Sequence, residues 1–380
     1  MKKCFIILAV LGFTSSCLVV QEGTVPELDC TQQGFSNTHQ ASSALDSLLI
    51  DAVENGLVGG TLLVSSAIEG DFVRAFGFSD LQAEELTRVC HKYRVASLTK
   101  VFTATLTLML VEEGRIGLDT RVGEFLDQEQ VSGIQDIDEI TVAELLNHTS
   151  GIPNYDDDVR FAPMILNEPG RPISLEQKLN LVRSKGGRVP KWVIKKFGQI
   201  YSNTNYLLLQ LILEKAAGKA YADLLKEKIL VPLELEKTTT SSEDPYPSGL
   251  ARGYVDFYGN DQMRDVHEWD AHRFDAEGNV ISTVGDLHIF FKALLSEQLI
   301  SAELLEQMKH QRLGLLQETF ELENAIGHDG IAIGYSAEMW YLPRSELMVI
   351  LLSNQGRLVN ENWSVLKFEN LLRRVIEVAR

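Results

Sequence analysis

The sequence predicts an α+β protein: an antiparallel β-sheet flanked by N- and C-terminal helices, with a mainly helical second lobe between its strands. Three observations carry this expectation. β-prone runs sit at the two ends of the chain, at Thr61–Val64 and Phe72–Phe78 and again after Gly327. Amphipathic helical stripes lie outside those runs, one from Ala44 and one near the C-terminus. Between the ends come helical segments broken by loops, with few strand signals. The expected division is an α/β lobe over about 40–95 plus 285–380 and a helical lobe over about 96–284, within one domain spanning 17–380.

In chain order the N-terminus comes first. Lys2 and Lys3 precede an apolar run from Phe5 to Phe13, and Thr14, Ser15 and Ser16 lead into Cys17. That is the build of an export signal over residues 1–16; its run is half the ~20 residues needed to cross a bilayer. Cys17 resembles the acylated cysteine of bacterial lipoproteins, although leucine is usual where Thr14 stands. Three readings stay open: a lipid anchor at Cys17 that attaches the protein to a membrane, simple cleavage and release, or a buried or incidental cysteine. Either of the first two puts the mature chain outside the cytoplasm, periplasmic or extracellular. Beyond the signal only Cys30 and Cys90 remain, able to form one disulfide in an oxidising compartment or to stand as two core thiols.

Leu45, Leu48, Leu49, Ala52 and Val53 recur at helical spacing and Gly56 follows as a C-terminal cap. Glu69-Gly70-Asp71 then joins the two short strand runs as a hairpin. From Ser97 to Val111 the chain is nearly all apolar or threonine, which predicts a helix buried on most sides. Helical segments follow at Val142–Leu146, Leu175–Val182, Tyr206–Ala217, Tyr221–Ile229 and Gly285–Leu295. Ile331–Trp340 and Leu347–Leu352 read as strands divided by the turn chemistry of Pro343-Arg344-Ser345-Glu346. Trp363, Leu366, Leu371, Leu372, Val375 and Ile376 mark a final amphipathic helix.

Composition narrows the function. Of 380 residues 45% are apolar and 23% charged, which suits one large globular domain or two entangled ones. Fifty-three acidic residues against 35 basic ones give a formal charge of −18, a surface that repels phosphate backbones and excludes nucleic acid as a partner. No fixed-period repeat is present, which argues against a solenoid or propeller.

Ser97-Leu98-Thr99-Lys100 places a hydroxyl and an amine three residues apart, on one face of a helix. Ser97 falls in the first turn, where free N–H groups and the positive dipole end stabilise a developing anion. A Lys100 enclosed by apolar neighbours loses preference for its charged form and becomes a proton acceptor near neutral pH. The pair is a nucleophile with its base, or else a helix-capping serine beside a snorkelling lysine. Tyr201-Ser202-Asn203 can project a phenol and an amide from a loop at a helix start, or Asn203 simply caps that helix. His328-Asp329-Gly330 opens the C-terminal strand region, where glycine marks close approach of a ligand or another backbone, or an ordinary turn.

With these sites in view, the chain resembles the serine β-lactamase and penicillin-binding protein superfamily. It is most similar to the class C β-lactamase-related hydrolases, which include D,D-carboxypeptidases, D-aminopeptidases and esterases. The resemblance runs from about Ala44 to the end. It rests on Arg94–Lys100, Leu145-Leu146-Asn147-His148-Thr149-Ser150-Gly151, Tyr201–Tyr206, Ile281-Ser282-Thr283 with Gly285-Asp286-Leu287, and His328-Asp329-Gly330. It implies the β-lactamase/transpeptidase-like form of the α+β fold. It also implies an exported serine hydrolase that cleaves an amide or ester of a small molecule or peptide, with neither metal nor organic cofactor.

In the chemistry the resemblance implies, Ser97 attacks an acyl carbon while Lys100 and Tyr201 take its proton and pass it to the leaving group. Lys100 favours the phenolate of Tyr201, and Asn203 orients Lys100 and the substrate amide. The backbone N–H groups of Ser97 and Ile331 form the oxyanion hole, and water completes a two-step hydrolysis. His328 stands where many relatives have lysine, and Asp329 where a small hydroxyl or glycine is usual. A carboxylate there repels a substrate carboxylate unless a protonated His328 offsets it, so an ester or amide without a terminal acid is expected. The alternative is a non-catalytic, penicillin-binding-like sensor that retains the pocket.

Other candidates point away from chemistry. His267 and His272 are five residues apart, so a helix swings them about 140° apart and cannot aim both at one metal. Asp156-Asp157-Asp158 reads as an exposed loop, His148 as a hydrogen-bonding strut, and the three lysines between Pro190 and Tyr201 as a solvated loop.

Overall fold

The computed structural model describes residue 35 and residues 37–380 apart from 186, 270–273 and 358–362. The expected export signal, Cys17, Cys30 and His272 lie outside the described residues; Cys90 is disulfide-bonded. Among the described residues no helix is long and apolar enough to cross a membrane.

Seven strands form the main sheet. β1 (Gly59–Ser66), β2 (Gly70–Asp80) and β3 (Glu85–Leu86) come from the N-terminal part. β4 (Leu316–Phe320), β5 (Glu323–Ala332), β6 (Tyr335–Leu342) and β7 (Leu347–Ser353) come from the C-terminal part. The spatial order is β3-β2-β1-β7-β6-β5-β4, antiparallel throughout. The two ends of the chain meet where β1 pairs β7, from Gly60 with Ser353 to Ser66 with Leu347. Every residue of β7 is buried, which is why this segment reads as a continuous apolar run rather than an alternation.

Four helices position the rest: α1 (Ser42–Glu54), α2 (Thr99–Glu112), α3 (Asn203–Ala217) and α4 (Trp363–Ala379). α1 buries Leu45, Leu48, Leu49 and Ala52, and α4 buries Leu371, Leu372, Val375 and Ile376, on one face of the sheet. The side chains of Trp363 and Leu366 are outside the described set. Gly56, at φ +91°, turns the chain out of α1 toward β1, a conformation only glycine adopts without strain. The other face packs on the helical lobe, whose centre is α2, with Val101, Phe102, Ala104, Leu106 and Leu108 fully buried. The valine, phenylalanine and leucines each contribute roughly 1.5–3 kcal/mol on burial. The threonines of α2 are tolerated inside because Thr105 and Thr107 return their hydroxyls to carbonyls four residues back and Thr103 donates to the Ala276 carbonyl at 2.7 Å.

Some expectations need correction. Ile331–Trp340 is not one strand but the end of β5 and most of β6, folded back at Ile333-Gly334, where Gly334 has φ +83°. Short strands at Tyr93–Arg94, Thr239–Thr240 and Val280–Ser282 build a small sheet that periodicity misses, because two or three residues are too few to show a period. The lysine-rich stretch after Pro190 is a short helix, Lys191–Phe197, rather than a loop.

Candidate active site

Ser97 sits in a 3₁₀ turn, Ala96–Leu98, immediately before α2 rather than in the α-helix itself. Ala96 has φ +48°, a left-handed conformation that costs a non-glycine residue on the order of 1 kcal/mol and concentrates at functional sites. It turns the Ser97 side chain toward Lys100, three residues on. Lys100 Nζ lies 3.0 Å from Ser97 Oγ and donates to the carbonyl of Glu277 at 2.7 Å. Tyr201, in the loop before α3, donates its hydroxyl to Ser97 Oγ at 2.8 Å. Stretches about a hundred residues apart thus bring one alcohol, one amine and one phenol together.

Their environment sets their protonation. Lys100 is fully buried, and desolvation pushes its amine down to about 7 against the opposing pull of the Glu277, Asp156 and Asp329 carboxylates. Burial drives the Tyr201 phenol well above its ordinary range, so it rests protonated. This differs from the expectation that Lys100 would favour a phenolate: the phenol keeps its proton and donates it in a hydrogen bond to Ser97 Oγ. His148 is a strut: its Nδ1 accepts from Ser202 N at 3.1 Å, and its ring lies 4.3 Å from that of Tyr201.

Gly330 belongs to β5, which runs directly beside the Ser97 turn. A Cβ on Gly330 would meet the Val95 carbonyl at 2.3 Å and Ser97 N at 3.1 Å, so only glycine permits this approach. We expect Gly330→Ala to displace the Ser97 turn and lower kcat about 10²-fold with little change in KM, checked by steady-state kinetics on a p-nitrophenyl ester. Ile331, next on the strand, lines the cleft.

Two assignments change. Asn203 does not bond Lys100: its Nδ2 donates to Asp156 Oδ2 at 2.6 Å, its backbone N–H donates to Asn154 Oδ1, and its Oδ1 has no hydrogen-bond partner. It also does not cap α3 with its side chain. His328 is buried, its Nδ1 against the Asp329 carbonyl at 2.5 Å, and desolvation pushes it down to about 4. A neutral His328 does not offset Asp329.

The acidic triplet was the sequence's least legible feature. Asp157 is exposed, and Arg160 grips Asp158 with two hydrogen bonds, but Asp156 turns inward against Asn203 instead of joining an exposed loop. Burial raises its carboxyl to about 6, and its Oδ1 has no hydrogen-bond partner. Asp156, Asp157, Asp158 and Asp329 line one cleft of about 620 Å³ with Ser97, Tyr201 and Asn203, and Arg357 is the cation among the described lining residues. Phe161, Ile165, Phe274, Leu316 and Ile333 supply an apolar wall. Among the described residues no group of three His, Cys, Asp or Glu side chains is arranged to hold a metal ion.

A family model described as Beta-lactamase matches residues 45–362. Penicillin-binding protein 4* of Bacillus subtilis (strain 168) is 26% identical over 336 residues, covering 81% of this chain and 70% of that protein. Among solved structures, D-amino acid amidase from Ochrobactrum anthropi SV3, complexed with D-phenylalanine, superposes with a TM-score of 0.77 at 24% identity, over 89% of this chain and 98% of that one. A D-stereospecific amidohydrolase from Streptomyces sp. gives 0.72 at 26% identity, over 86% and 98%. Matched over most of its length and folded like these hydrolases, the chain belongs to the beta-lactamase family and is a serine hydrolase of that family.

Proposed function

We propose that the protein is exported and hydrolyses an amide or ester of an amino acid through an acyl-enzyme on Ser97, the substrate presenting an ammonium group to Asp156. The observation that carries the reaction is Ser97 Oγ held at once by Lys100 Nζ at 3.0 Å and the Tyr201 hydroxyl at 2.8 Å. Neutral Lys100 takes the serine proton as Oγ bonds the acyl carbon, and Tyr201 gives its proton to the departing amine or alkoxide and is reprotonated from Lys100. Backbone N–H groups of Ser97 and Ile331 receive the oxyanion. Water, deprotonated by the same pair, then releases the acyl group. Export is supported by the basic and apolar build of residues 1–16, with Cys17 as the proposed point of lipid attachment.

Charge supports the substrate class. Asp158 is paired with Arg160, but Asp156, Asp157 and Asp329 against Arg357 still disfavour a substrate carboxylate, and the free oxygen of Asp156 suits an ammonium N–H. The apolar wall suits an aliphatic or aromatic side chain. The solved relatives, a D-amino acid amidase and a D-stereospecific amidohydrolase, make D-amino-acid amides the first substrates to test.

Turnover of D-phenylalanine amide, a D-alanyl ester, a D-Ala-D-Ala peptide and a cephalosporin should rank the first two highest. Preference for the peptide or cephalosporin would refute the ammonium assignment, and a single burst without steady turnover would favour a sensor. Asp156→Asn is expected to lower kcat/KM for D-phenylalanine amide tenfold to a hundredfold more than for p-nitrophenyl acetate, about the worth of one charged hydrogen bond. Equal losses on both would remove Asp156 from substrate recognition.

A further inference from the structure

Beneath the cleft lies an ion pair that the mechanism above does not use. Lys178, on the helix Leu175–Lys185, and Glu277, in the loop before Val280–Ser282, are 0% and 1% exposed. Glu277 Oε1 accepts from Lys178 Nζ at 3.0 Å and from the Tyr155 hydroxyl at 2.7 Å, while Oε2 accepts from Asp275 N at 2.9 Å. Lys178 Nζ also meets Asp275 Oδ2 at 2.9 Å. Burying such charges is expensive, and well-packed apolar residues often replace them without loss of stability. Stability alone therefore does not account for the pair.

The backbone of the same residue faces the other way. The Glu277 carbonyl accepts from Lys100 Nζ at 2.7 Å. Its neighbour Ala276 is pinned on both sides, its carbonyl accepting from Thr103 Oγ1 of α2 and its N–H donating to Gln210 Oε1 of α3. A neutral amine has two N–H bonds and one lone pair. A carbonyl can only accept, so it fixes one N–H and with it the rotation of the amine, which leaves the lone pair free to aim at the Ser97 hydroxyl.

We infer that Glu277, locked by Lys178 and Tyr155, is a positioning residue that holds the Lys100 amine in line with Ser97. The inference rests on the reading of Lys100 as the base. Glu277 also acts through its charge: it is the strongest of the carboxylates holding Lys100 up against desolvation, ahead of Asp156 and Asp329. The remaining groups that face Lys100 are Tyr201 and Tyr206, whose rings lie 5.0 and 5.4 Å from Nζ, and His148 and His328, which burial keeps neutral.

The test compares the full-length protein with Glu277→Gln, Lys178→Met and the double variant carrying both. The pH profile of kcat/KM on p-nitrophenyl acetate is read beside the titration of Lys100 followed by NMR on ¹⁵N-lysine protein. Loss of the Glu277 charge should move both the acid limb and the Lys100 titration to lower pH. In Glu277→Gln kcat should fall about tenfold or more with KM within twofold, since a small misplacement of a catalytic group is costly. The double variant, which removes both buried charges, should fold where Lys178→Met is compromised and should keep the same displaced limb. Wild-type kcat together with an unmoved Lys100 titration, in either folded variant, would overturn the inference and leave the pair purely structural. A Lys100 titration that moves in a protein lacking turnover at Ser97 would uphold the positioning role and overturn the reading of Lys100 as base.

Discussion

Replacing Ser97 by alanine is expected to reduce kcat/KM on any accepted amide or ester by on the order of 10⁴-fold or more, the scale seen when a serine nucleophile is deleted. It should also abolish labelling by a fluorophosphonate or boronate probe. The hydroxyl lies 3.0 Å from Lys100 Nζ, accepts from the Tyr201 hydroxyl and lines the cleft, so its removal takes away the attacking atom without opening the core. The melting temperature should stay within about 2 °C, the shift that ~1 kcal/mol produces in a protein of this size. Full labelling or full turnover in the variant would remove Ser97 from the chemistry. The oxyanion donors proposed here are backbone groups and survive the substitution, so a residual rate above that in water is consistent with the assignment.

The second large effect concerns the base. Lys100→Met keeps the buried volume and the apolar contacts of the stem, removes the amine, and is expected to lower kcat by about 10³-fold, within the range for general base catalysis. The pH dependence carries the sharper signature. Desolvation sets the Lys100 amine at about 7, so the competent neutral form grows as pH rises and wild-type kcat/KM on a neutral ester should climb through that region. Tyr201 is pushed well above its ordinary range and His328 down to about 4, so neither changes state there. Asp156, raised to about 6, ionises in the same direction and should add a second step for ammonium-bearing substrates alone. A profile in Lys100→Met that keeps the wild-type limb would assign that limb to another group.

The fold was largely legible because its signals are local. The α1 stripe, the Glu69–Asp71 turn and the apolar run of β7 each record the burial of residues within one or two turns or pleats. The two-residue strands and the hairpin at Ile333-Gly334 escaped, since their pairing is set by partners far along the chain. In the candidate site, the spacing of Ser97 and Lys100 is a property of a helix turn, and Tyr201 could be named from its place before an apolar helix. Asp156 could not, because an acidic triplet in a turn carries no sign of which carboxylate will face inward. Glu277 gave no signal either, and the role expected of Asn203 failed for the same reason: its amide bonds Asp156, 47 residues away, not Lys100.

By itself, then, the order of residues determined an α+β chain with a hydroxyl, an amine and a phenol set at the starts of buried helices, and a surface too acidic for nucleic acid. Only the tertiary structure decided that Lys100 loses its charge preference, that His328 stays neutral and that four aspartates share one cleft. Helix and strand patterns arise from neighbours a few positions apart, whereas desolvation and charge act through space. The carbonyl that fixes Lys100 lies 177 residues away in sequence and 2.7 Å away in the folded protein.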